Sequence, residues 1–137
     1  MMRILLACSA LLLTFSVRAQ NITIQSDSIQ WNATSFTDNL SHETYDMPCQ
    51  FVSNGNQKIE WIQKSGTYVS TYTVGSTSGT WTDPNTNGSI TYSISRNNVS
   101  GQLTITKTDQ GISIRLSLNS PSGPIDNTYT ISTFEKR

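Results

Sequence analysis

The sequence predicts an all-β domain: an antiparallel up-and-down meander of eight to ten strands, closed as a small barrel, half-barrel or sandwich. Three observations predict it. Apolar and polar residues alternate through three successive runs between Ser89 and Leu118, with Ile90, Tyr92 and Ile94, then Leu103 and Ile105, then Ile112, Ile114, Leu116 and Leu118 as the apolar sets. A period of two places each set on one face of a strand. The turns Asn97-Asn98 and Asp109-Gln110-Gly111 between the runs are short, which makes neighbouring strands antiparallel. Finally, 36 of the 118 residues from Gln20 to Arg137 are Ser or Thr. Thr suits an exposed strand face, and Ser, with Asn and Gly, suits the turns.

The elements follow in order. Residues 1–19 read as a secretory signal peptide: a short basic start at Arg3, an apolar run from Ile4 to Val17, and small residues at Val17 and Ala19 before Gln20. The expected localisation is therefore secreted or periplasmic, with no membrane span. Residues 20–137 then form one domain, large enough to bury roughly two thirds of its unfolded surface. Ile22-Thr23-Ile24 alternates as a first strand, and Ile29 and Trp31 continue it more weakly. Asn32 to Asn39 is polar and reads as loop. Leu40, Glu43, Thr44 and Met47 stand at helical spacing behind Asp38, a good N-cap, and Pro48 ends the segment. One or two helical turns, a strand or a loop all fit residues 39–47.

Cys49–Val52 and Lys58–Lys64 flank an Asn54-Gly55 turn, a strong hairpin signal. A three-residue loop at Asn54–Asn56 places Phe51 opposite Ile59 and Cys49 opposite Trp61, all on one face. Tyr68, Tyr72 and Val74 share a face of the next strand. Gly75–Gly79 reads as a loop, Trp81 as part of a short strand, and Asp83–Gly88 as a turn. After the three-strand run, Asn119–Asn127, with Pro121, Gly123 and Pro124, reads as a second long loop. Thr128–Phe134 closes the chain with Tyr129 and Ile131 alternating.

Charge excludes several functions. Seven basic residues face nine acidic ones after residue 19, a net charge of about −2 with His42 neutral. No basic stripe exists for nucleic acid or an anionic membrane. Of the two cysteines, Cys8 falls in the signal segment, so Cys49 is left without an intrachain partner. Its place in the hairpin pattern points to a buried, inert thiol.

Catalytic chemistry finds little support. His42-Glu43-x-x-Asp46 has the outline of a zinc helix, but the chain holds no second histidine. No Gly-x-Ser-x-Gly turn presents a serine. The sequence thus predicts a non-catalytic protein, with no metal and no cofactor. The aromatic residues Trp61, Tyr68, Tyr72, Trp81 and Tyr92 fall at inward or rim positions, where they either line a cup for a small apolar or planar ligand or fill the core.

Gly79-Thr80-Trp81-Thr82-Asp83, with the meander behind it, resembles the Gly-x-Trp opening strand of the lipocalin-like (calycin) barrels. The resemblance implies an up-and-down barrel with Trp81 packed at one end and a small hydrophobic ligand at the mouth. The motif stands behind at least three strand candidates here, so Trp81 alone is carried over. The expected function is an exported β-domain binding a small apolar ligand. The alternative is a structural, adhesion or inhibitor module with a filled core, whose partner is an extracellular protein.

Overall fold

A computed structural model describes residues 21–137. The signal segment expected at 1–19 lies outside the described residues. The chain forms nine strands: β1 (Ser28–Asp38), β2 (Thr44–Tyr45), β3 (Cys49–Asn54), β4 (Lys58–Gln63), β5 (Tyr68–Ser78), β6 (Gly88–Arg96), β7 (Val99–Thr108), β8 (Gly111–Ser120) and β9 (Gly123–Lys136). From β3 onward each strand pairs antiparallel with the next, and β9 returns to pair with β1. The meander is thus a closed barrel with eight staves, β1 and β3–β9. The two-residue β2 pairs with the far end of β1, on the edge where β3 pairs with its near end. β2 and β3 behave as one stave interrupted at Asp46-Met47-Pro48, where proline has no N–H for the ladder.

Closure needs curvature, and two irregularities supply it. The β1–β9 register shifts between Asn32 and Ser35, and the β5–β6 register shifts between Val74 and Ser76. An extra residue on one strand bends it and raises its twist. Gly101 marks a third tight place, since a Cβ there would overlap the carbonyl oxygen of Ser117 on β8.

The interior is filled by the alternating sets. Ile90, Tyr92, Ile94, Leu103, Ile105, Ile114, Leu116 and Leu118 are buried, while Ile112, of the same parity at the start of β8, is only half-buried. Trp31, Phe51 and Tyr129 supply the largest rings beside them. Trp31 keeps its indole N–H satisfied by donating to Ser53 Oγ at 2.9 Å.

Several expectations are corrected. Asn32–Asp38 is strand rather than loop, because β9 pairs with it as far as Asp38–Asn127. Ile22–Ile24 is not a strand; Thr23 and Asp27 close a turn there, with Thr23 N donating to Asp27 Oδ2 at 2.7 Å. Of the three alternatives open for residues 39–47, the structure has a turn and then the short strand β2, with no helix. Gly75–Gly79 is largely strand, carrying the β5 irregularity. Asn119–Asn127 is a tight hairpin in which Ser120 pairs with Gly123. The β3–β4 hairpin turns one residue later than expected. Gly55, at φ 54°, takes the first loop position, so Phe51 faces Trp61 and Ser53 faces Ile59. The expected partners still share one face, and Cys49 is buried.

Trp81 lies in the β5–β6 connection rather than on a strand. It plugs the end of the barrel where β1 starts. Its ring centroid is 6.0 Å from that of Trp31, and its indole N–H donates to Thr86 O at 2.8 Å. The segment before β1 crosses the same end, with Ile24 N donating to Thr82 O at 2.9 Å and Gln25 Nε2 to Trp81 O at 2.6 Å. Among the described residues, no helix is long and apolar enough to cross a membrane.

Candidate functional site

One end is plugged, and the other holds a pocket. β1, β4, β6 and β8 all finish at this open end, so the connections 39–48, 64–67, 97–98 and 121–122 form its rim. A pocket of about 350 Å³ opens between the first two of these connections and is lined by ten residues. Phe36, Cys49, Trp61 and Tyr129 come from the staves, and Met47 and Pro48 from the break between β2 and β3. Gln63, Lys64, Ser65 and Asn127 supply the polar part of the lining, and no carboxylate joins them.

Strand parity explains the apolar lining. Phe51 and Trp61 sit opposite each other on β3 and β4, and their rings stack at 6.0 Å. Phe36 and Tyr129 are likewise cross-strand partners on β1 and β9, 5.2 Å apart. Tyr129 stands edge-on to Phe51 at 4.8 Å and to Trp61 at 6.1 Å. Tyr45 on β2, the cross-strand partner of Phe36, stacks on it at 5.1 Å. Offset and edge-on ring pairs add attraction beyond their buried area, so the aromatic wall is held in place without a ligand.

The polar groups are tuned by burial. Burial pushes the Cys49 thiol up. A raised thiol is a poor nucleophile at neutral pH. The Trp61 indole N–H is shielded from water and makes no hydrogen bond. Burial also pushes the Tyr129 phenol far up, against a smaller opposite pull from Asn127. Asn127 Nδ2 donates to the phenol oxygen at 3.2 Å, which leaves the Tyr129 hydroxyl proton free to donate. The rim at Lys64 and Ser65 is strained, since both adopt left-handed backbone, φ 51° and 55°, without being glycine.

The five aromatic residues singled out from the sequence are scattered. Trp61 lines the pocket. Tyr72 and Tyr92 are core residues, 4% and 0% exposed. The Tyr92 hydroxyl has no partner, and burial alone pushes it up to about 12. Tyr68 is exposed at the mouth, where β5 starts opposite the pocket residue Gln63, with the Lys64 ammonium 5.4 Å from its ring centre. Trp81 is the plug at the opposite end. Phe36 and Tyr129 were missed as lining residues. Phe36 was hidden in a segment that reads as polar loop, while Tyr129 shares the parity of buried Ile131 and could have been found from it.

His42, Glu43 and Asp46 lie exposed on the 39–48 connection. Asp38 accepts from the backbone of Leu40 at 2.9 Å, and Glu43 accepts from Tyr45 Oη at 2.5 Å. Among the described residues, no three His, Cys, Asp or Glu side chains gather as a metal site. The pocket combines an apolar wall with polar side chains and one cation at the rim. The chain matches no protein-family model, no curated protein and no solved structure.

Proposed function

We propose that this chain is an exported, non-catalytic binding protein whose open end receives a small apolar, planar ligand. The observation that carries the reading is the pocket of about 350 Å³ walled by Phe36, Trp61 and Tyr129 at the mouth of the barrel. That volume lies near the lower end of the ~300–1,000 Å³ typical of ligand sites, which suits a ligand of one or two rings. Flat apolar walls favour a planar molecule, because stacking gains contact area at little entropic cost.

Tryptophan fluorescence tests it. Only Trp61 of the three tryptophans lines the pocket; Trp31 and Trp81 sit at the plugged end. Titration with a panel of pigments, aromatic acids and short-chain lipids is expected to give saturable quenching with at least one compound. Trp61→Phe is expected to remove most of that signal. Quenching that survives in Trp61→Phe, or no saturable response across the panel, sinks the reading. Export is tested separately: N-terminal sequencing of the protein recovered outside the cytoplasm should begin at Gln20.

The interaction-module reading keeps one observation in its favour. Large apolar side chains are exposed around the mouth, at Leu40, Met47 and Tyr68 among others. On that reading the rim, rather than the cup, carries the function.

A further inference from the structure

We propose that the barrel mouth is a docking surface for a second copy of this chain, with the two cups facing each other across a two-fold axis. Two observations carry this, and neither depends on the cup holding a ligand.

The first is where apolar surface is exposed. Among the described residues the exposed large hydrophobic side chains are Leu40, Tyr45, Met47, Tyr68 and Val69. All five lie on the two stretches that flank the pocket, the 39–48 connection and the start of β5. The staves around the rest of the barrel turn Ser and Thr outward, as Thr91 and Thr104 do when their hydroxyls meet at 3.0 Å. An apolar patch confined to one end of a polar barrel marks a contact surface.

The second is how charge is arranged on that patch. The arc from the end of β1 to β3 carries Asp38, Glu43 and Asp46. The arc from β4 to the end of β6 carries Lys64 and Arg96. Among the described residues, none of these five joins an ion pair. The four ion pairs present are Lys58–Glu60, Arg115–Asp126, Lys136–Asp27 and Arg137–Glu60. A partner of one sign suits only half of such a rim. An anionic lipid surface meets three carboxylates, and a cationic peptide meets Lys64 and Arg96. A second copy turned by a two-fold axis lays the acidic arc on the basic arc twice, with apolar residues between them, and every contact is made in duplicate. The mouth of one small barrel is modest beside the ~800 Å² per partner of a standard interface. The dimer is therefore expected to be weak, dissociating in the micromolar range or above.

Sedimentation velocity of the mature chain, from low micromolar to millimolar concentration, tests the proposal. A monomer–dimer equilibrium is expected, and added salt should weaken it. Lys64→Glu and Asp46→Lys should each raise the dissociation constant about tenfold, since each reverses two contacts at once. Both positions are exposed, and unchanged circular dichroism will show that the variants fold. An equimolar mixture of the two variants should recover association, because Glu at 64 in one copy then meets Lys at 46 in the other. A chain that stays monomeric throughout overturns the proposal. So does a dimer indifferent to both reversals, or a mixture that does not recover. Flotation with neutral phosphatidylcholine vesicles without self-association would assign the patch to a lipid surface, and equally overturns it.

Discussion

Tyr92 is fully buried with a hydroxyl that has no partner, which makes it an unfavourable side chain at its own site. An unmet buried hydroxyl costs about 1–3 kcal/mol. Tyr92→Phe removes it without opening a cavity. The expected result at neutral pH is unchanged or higher stability, by up to about 1 kcal/mol, in urea unfolding. The same residue governs alkaline behaviour. Its folded value is raised from the ordinary 10.0 to about 12, so the unfolded chain releases the proton first. Stability is therefore full below about pH 10 and falls as pH rises from there through about 12. Melts across that window should show a shallower fall for Tyr92→Phe, with Tyr129 still contributing. Ser65 is a second test. Its left-handed backbone suits glycine, so Ser65→Gly should stabilise by about 1 kcal/mol by the same unfolding assay. The sequence makes neither property visible. Alternation shows that Tyr92 points inward, but only the packed interior shows that no acceptor is there to meet it.

At the scale of elements, the plugged end depends on one close approach. The Trp81 ring occupies the space that a side chain on Gly88, the first residue of β6, would fill. Gly88→Ala must push the indole off Trp31 or bend β6 away. Overpacking of this kind costs about 1–3 kcal/mol. Chemical denaturation should show that loss. Trp81 fluorescence should also shift to longer wavelength as the ring reaches water, and an unshifted spectrum would argue against the plug. The hairpin run β6–β8 was legible in the sequence because each strand pairs with its chain neighbour and a turn residue marks each join. β1 beyond Trp31 was not legible. Its polar residues pair with β9, about a hundred residues away, and no local signal announces that partner.

For the whole molecule, the seam between β9 and its neighbours decides whether the meander closes. Asp126 ties three parts together there. It takes a two-point contact from Arg115 on β8, with Nε at 3.0 Å and an Nη nitrogen at 2.8 Å, and it accepts from Asn39 Nδ2 at 2.8 Å. The Arg115 guanidinium and the Asn39 amide hold the Asp126 carboxyl below the usual carboxylate range. A carboxyl lowered by folding contributes stability above its unfolded value, and that contribution is lost as pH falls through the folded value. Asp126→Asn should cost about 1 kcal/mol at neutral pH and converge with the parent chain once pH falls below the lowered Asp126 value. Thermal melts from pH 7 down through the acid range check this; a loss that stays constant throughout would place the effect in packing rather than charge. The barrel joins residues far apart in the chain, so folding is expected on the millisecond-to-second scale of β-rich topologies.

Local patterning alone determined that this chain is all-β, antiparallel and wound as a meander. Each of those properties follows from side-chain parity and from turns a few residues long. Burial of Cys49 was equally readable, since its parity with Phe51 holds under either hairpin register. Parity also says that a side chain points inward, but it says nothing about height along the barrel axis. Tertiary structure decided that, through shear between staves and closure of β9 on β1. It set Tyr72 and Tyr92 in the filled middle, Trp81 at the plugged end, and Phe36, Trp61 and Tyr129 together around the open cup.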